Sequence, residues 1–175
     1  MSILKVARMG HPVLRARARP LDRGEVESAV VQRLIDDMIE TMAEYHGVGL
    51  AAPQIHESVR VFVAVLDAKD EEGASAPIAL INPEITLVGA NVVEDWEGCL
   101  SIPEIRGRVP RAGAISVRAL DRRGDRLELQ AENFPARVIQ HETDHLDGIL
   151  FFDRMRSFET LTFLDEYSRY WAKND

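Results

Sequence analysis

The sequence predicts an α+β protein. Three observations carry that expectation: a long helical periodicity in the N-terminal half, a central region of short β-prone runs divided by turns, and helical patterns again towards the end. The first helix is expected over Ser28 to Tyr45. There Val30, Val31, Leu34, Ile35, Met38, Ile39 and Met42 recur at three- and four-residue spacing, which places them on one face. Gly47 is the expected stop signal. Strands are expected at Val59 to Leu66, Ile78 to Ile81, Ile85 to Val88, Ile115 to Leu120 and Leu127 to Leu129, with Asp121-Arg122-Arg123-Gly124 as a hairpin tip. A second helix should run from Pro135 to Leu146, because proline suits a first helical turn and Asp147-Gly148 suits an end. A third, Ser157 to about Tyr170, closes the chain. Asp67 to Pro77 mixes charge with glycine, serine and proline and reads as a surface loop.

The length of 175 residues and the hydrophobic share of 46% suit one compact domain spanning residues 1–175. Lys and Arg number 21 against 29 Asp and Glu, a formal net charge of -8, which repels nucleic acid and anionic membranes. Direct nucleic acid binding is therefore not expected. The single cysteine, Cys99, cannot form an intrachain disulfide, and no leader-like or membrane-spanning stretch is seen. A soluble cytoplasmic protein is expected.

The chemistry concentrates in His141-Glu142-Thr143-Asp144-His145 on the second helix. At about 100° per residue, His141, Glu142, His145, Val138 and Leu146 share the side that should be apolar, while Arg137, Gln140, Thr143 and Asp144 face solvent or a polar neighbour. Two imidazoles and a carboxylate on a buried face need partners, or they cost several kcal/mol. A divalent cation satisfies them: histidines four apart reach one ion at about 2.0 to 2.1 Å, and the intervening Glu142 stands beside it as a general base. The expected activity is hydrolysis with one metal ion per chain. The third ligand has two candidates, Glu166 on the last helix and Cys99 upstream. Glu166 would make the chain a zinc peptidase of the thermolysin-like class.

Three separated segments decide between them: Gly47-Val48-Gly49-Leu50-Ala51-Ala52-Pro53-Gln54, Glu97-Gly98-Cys99-Leu100-Ser101 and Gln140-His141-Glu142-Thr143-Asp144-His145. Together they resemble, in order, the motifs of the bacterial-type peptide deformylases, and the similarity runs from Gly10-His11-Pro12-Val13-Leu14 to beyond Phe151-Phe152. The resemblance implies antiparallel sheets packed around the central HExxH-bearing helix, with a helix in the N-terminal half and one at the C-terminus. It implies Cys99, His141 and His145 as ligands, natively of Fe(II), with Zn(II) or Ni(II) as substitutes. It implies removal of the formyl group from N-formylmethionyl nascent polypeptides, with release of formate.

Carried over residue by residue, Glu142 is the acid and base, while the Gln54 amide and the Leu100 backbone N–H bind the oxyanion. Val48, Gly49 and Leu50 border the substrate, and Glu97 with Arg111 braces His141. Val48, Phe134 and Val138 are nominated for the methionine pocket. Two features depart from the family pattern: Arg137 stands where some relatives carry an aliphatic residue, and Asp95-Trp96 is not fixed. Arg169 and Lys173 near the end offer a contact for the ribosome, although a packed amphipathic helix is the simpler reading.

Overall fold

A computed structural model describes residues 2–66 and 76–172, so most of the expected loop from Asp67 to Pro77, and Lys173, lie outside the described residues. The expected N-terminal helix is α2 (Ala29–Glu44), and a short helix that the sequence pattern did not show, α1 (Arg23–Glu27), precedes it. Asp22 and Glu25 form a reciprocal capping box on α1, and Ser28, expected as the first helical residue, instead caps α2 through its hydroxyl. The left-handed residue that ends α2 is His46, with φ 54°, and not Gly47.

Among the described residues eight strands follow: β1 (Gly49–Ala51), β2 (Val61–Ala64), β3 (Ile78–Leu87), β4 (Val92–Cys99), β5 (Ile102–Ala112), β6 (Ala114–Leu120), β7 (Arg126–Glu132) and β8 (Thr162–Phe163). They form a five-stranded sheet in the order β1-β2-β3-β6-β7 and a three-stranded one in the order β4-β5-β8, with neighbouring strands antiparallel in both. The two short strands expected before and after Pro83 are one, β3, interrupted by a register shift at which Asn82 takes φ 52°. The hairpin between β6 and β7 turns at Asp121–Gly124 as expected, with Gly124 at φ 81°.

Both faces of the larger sheet are buried at β1, β2 and the start of β3. Val61, Val63, Ala79 and Ile81 pack with Ile35, Met38 and Met42 of α2. Phe62, Ala64, Leu80 and Val117 pack with Ala136, Val138, Ile139 and Leu146 of α3 (Asn133–Leu146). Alternation along β2 therefore sends successive side chains to two different helices, which is why the strand reads as an unbroken apolar run. Each fully buried side chain such as Phe62, Leu80 or Ile139 contributes about 1.5 to 3 kcal/mol. A third cluster, with Leu14, Cys99, Ile102, Val109 and Phe151, seats the β4–β5 hairpin against the rest.

The last expected helix is shorter than its sequence pattern. Ser157 to Leu161 form turns, Thr162 and Phe163 pair with β5, and only α4 (Leu164–Tyr170) is helical, without a fully buried residue. Among the described residues, no helix is long and apolar enough to cross a membrane.

Candidate metal centre

The helix α3 sets His141 and His145 one turn apart, with ring centroids 4.9 Å apart and planes at 76°. The β4–β5 hairpin supplies the third group. A register shift between Glu97 and Cys99 ends β4, and Cys99 stands at the tip opposite Ile102. Its Sγ lies 3.2 Å from His145 Nε2. One ligand atom from each of Cys99, His141 and His145 lies within 4.8 Å of the others, and all three residues are buried. Glu166 is elsewhere, half-buried on α4 beside Arg169.

These groups fit a divalent cation on their own chemistry. Burial opposes protonation of His141, yet its bonds to Cys99 and Glu97 outweigh that and hold its pKa well above the ordinary value. Burial, and then the charge on His141, hold His145 well below it. A metal ion would compete with a proton for the place between the sulfur and the two imidazoles. Sulfur with two nitrogens suits zinc, iron or nickel and leaves a position open for catalysis. Glu142 Oε2 and His145 Nδ1 are buried without a protein partner, so the centre has unspent polar capacity.

Glu142 is buried beside the ligands, and burial raises its pKa to about 7 against the opposing charge of His141. That value suits a group that takes and returns a proton near neutrality. Gly49 makes room for it, since a Cβ there would stand 2.3 Å from Glu142 Oε1. Gly47 likewise passes close to Leu100, whose Cδ1 would lie 2.9 Å from an added Cβ. Neither glycine has positive φ, so both serve close approach, and Gly47 does not supply the left-handed residue expected at the helix end.

Gln54 sits in a 3₁₀ turn, Ala52–Ile55, and is buried. Its Oε1 accepts from Ala51 N at 2.8 Å, which turns Nε2 towards Cys99 Sγ at 3.5 Å and Ser101 Oγ at 3.2 Å. An amide donor is therefore aimed at the centre.

Behind His141 lies a buried ion network. Glu97 Oε2 lies 2.9 Å from His141 Nδ1 and accepts from Arg111 at 3.0 Å, and Oε1 accepts from Arg111 Nε and Arg137 Nη1. Arg111 also pairs with Asp144, which Arg154 clasps from the other side. Burial works against ionisation of Glu97, but Arg111 and His141 hold its carboxyl well below the usual range. Asp144 and Arg137, read from the sequence as facing solvent or a polar neighbour, are buried in this network. Arg137 also donates to the carbonyls of Val93 and Val109, tying α3 to both strands of the hairpin.

A cleft of about 830 Å³ opens over the centre, lined among others by Val48, Gly49, Gln54, Cys99, Leu100, Phe134, Val138, His141 and Glu142. Val138 is buried, whereas Val48 and Phe134 form an exposed rim. Leu50 is fully buried in the α2 core, and its side chain does not reach the cleft. Sequence reasoning passed over Trp96, Ser101 and Arg106, which belong to this region; only the proximity of Ser101 to Cys99 in the sequence signalled one of them.

The chain is similar to known proteins over nearly its full length. The sequence family described as polypeptide deformylase matches residues 3–160. Peptide deformylase 2 of Nostoc sp. is 41% identical over 175 residues, covering 98% of this chain and 97% of that one. The peptide deformylase of Halothermothrix orenii is 44% identical over 156 residues, 89% of this chain and 95% of its own. Among solved structures, the actinonin-bound class I type b peptide deformylase of Acinetobacter baumannii superposes with a TM-score of 0.80 at 40% identity, covering 89% of this chain and 99% of that one. The enzyme of Thermotoga maritima gives 0.82 at 39%, covering 90% and 100%.

Proposed function

The chain belongs to the polypeptide deformylase family, and from that premise we propose how its own residues remove the formyl group from N-formylmethionyl polypeptides and release formate. The observation that carries the proposal is the convergence of Cys99, His141 and His145 beside Glu142. These three residues would hold the ion, and Fe(II) is the proposed native metal, with Zn(II) or Ni(II) able to replace it. When bound, it would acidify water and polarise the formyl carbonyl.

Glu142 takes the proton from the attacking water and passes it to the departing amine, serving as base and then acid. The Gln54 amide and the Leu100 backbone N–H donate to the oxyanion that forms on the formyl carbon, where preset donors are worth most. Glu97, fixed by Arg111, orients His141 through Nδ1 and leaves its Nε2 for the ion. The backbone of Val48 and Gly49 borders the peptide, and Val48, Phe134 and Val138 receive the methionine side chain. A related enzyme from Acinetobacter baumannii has been solved with Met-Ala-Ser, a ligand with the form of such a product.

We place this activity in one domain over residues 1–175, in the cytoplasm, acting on nascent chains as they leave the ribosome. The thermolysin-like alternative has no support, since Glu166 stands apart from the ligands. An anaerobic assay of formate release from formyl-Met-Ala-Ser, with the bound metal identified in parallel, tests the reading. Turnover should survive air with nickel and decline in air with iron, because a thiolate beside ferrous ion is open to oxidation. Absence of formate release with every metal would refute it.

A further inference from the structure

The cleft of about 830 Å³ is large for one amino acid and suits a ligand of several residues. Beyond the catalytic groups it is lined by Trp96, Arg106 and Leu164. Trp96 and Gly98 project to the face of β4 opposite Glu97 and Cys99, so one strand presents ligand chemistry on one side and an aromatic on the other. The C-terminal segment builds against that second face. Its strand β8 pairs with Ile105 and Arg106 of β5, and α4 begins at once with Leu164. The Trp96 ring meets Tyr167 of α4 edge-on at 4.9 Å and Trp171 at 5.6 Å.

This aromatic cluster anchors α4 on the hairpin, which would be explanation enough if its members were buried. They are not: Trp96 is half-buried and Trp171 is exposed, and Trp96 together with the neighbouring Leu164, 36% exposed, keeps surface towards the cleft. We propose that Trp96 and Leu164 form a wall that binds an apolar side chain following the formylmethionine, so that the C-terminal segment takes part in substrate selection. The proposal rests on the deformylase reading. A flat indole beside a branched aliphatic group removes water from a large apolar side chain and offers nothing to an acidic one. Leu164 is thereby a specificity-determining residue outside all three sequence motifs.

The test uses the metal-loaded full chain with two peptide series, formyl-Met-Xaa-Ser and formyl-Met-Ala-Xaa, where Xaa is Leu, Phe, Asp or Lys. Leu and Phe should exceed Asp by about threefold to tenfold in kcat/KM at one of the two positions, through KM and not kcat. Leu164→Asp should reverse the order in favour of Lys, and it should fold, because an acidic residue is welcome in a first helical turn. Trp96→Phe, which keeps a flat ring, should retain the apolar preference.

A readout independent of turnover exists, because the chain has two tryptophans and both lie in this cluster. Titration with the product peptides Met-Leu-Ser and Met-Ala-Leu should change their fluorescence to saturation, and Met-Asp-Ser should do so only at higher concentration. Equal use of all residues at both positions, an unchanged order in Leu164→Asp, or fluorescence indifferent to every product peptide would overturn the wall. Absence of formate release from all substrates would instead overturn the deformylase reading, and the fluorescence titration would still judge the wall.

Discussion

Glu97 holds His141 Nδ1 at 2.9 Å with one carboxylate oxygen while its other oxygen takes Arg111 and Arg137. The imidazole is thus oriented by a group of β4 that is itself fixed from β5 and from α3. Glu97→Gln should weaken metal affinity by about tenfold to a hundredfold, as loss of such an outer partner does. Competition with a chelator would measure it. An unchanged dissociation constant would mean that the helix alone orients His141.

The same carboxylate gives the metal-free protein a pH signature. Its folded pKa is held well below the usual range, so its stabilisation is complete above the unfolded value of about 4.3 and is lost as pH falls towards the folded one. The melting-temperature gap between the parent and Glu97→Gln should accordingly shrink below about pH 4. A gap that stays constant down to pH 3 would contradict the ionised assignment.

The sequence revealed α2, α3 and the β6–β7 hairpin because each buries apolar residues at the period of its element. It concealed β4 and β5, although the third ligand sits on their hairpin. The inward positions of that hairpin include Glu97 and Arg111, whose burial is supported by ion pairs and not by hydrophobicity, so no alternating apolar pattern marks them. For Asp144 and Arg137 the sequence leaves solvent and a polar neighbour both open, and the structure shows the polar neighbour, because each partner comes from a distant strand that no helical spacing reveals. Cys99 and Gln54 were legible only through their motifs, since a lone cysteine and a glutamine after a proline carry no periodic signal. The last helix was overextended because Phe158, Leu161 and Leu164 mimic helical spacing, while Thr162 and Phe163 are drawn into pairing with β5.

Cys99→Ala should abolish metal retention, and Glu166→Gln should leave it intact, because Cys99 Sγ is 3.2 Å from His145 Nε2 and Glu166 stands on α4, outside the ligand cluster. Metal analysis of the purified variants decides this. The opposite result would return the chain to the thermolysin-like reading.

Glu142→Ala should keep the metal and lose turnover by at least about a hundredfold, the usual lower range for a general acid and base. The three ligand atoms cluster without it, so metal content should match the parent. Formate release from formyl-Met-Ala-Ser at the parental rate would dismiss Glu142 as the proton carrier.

Gly49→Ala probes the same group from the opposite wall. The new methyl would stand 2.3 Å from Glu142 Oε1 and 2.7 Å from Cδ, closer than any real contact allows. Gly49 has no left-handed backbone to lose, so the substitution carries no conformational strain of its own. Its whole effect must come from moving the Glu142 carboxylate or the β1 backbone that faces it. Turnover should therefore fall by tenfold or more, since small misplacements of a reacting group cost about a hundredfold. The metal content should stay at the parental level, because the ligands lie on α3 and the β4–β5 hairpin. Parallel measurement of kcat and bound metal separates the two effects, and loss of both together would show that β1 supports the ligands as well as the base.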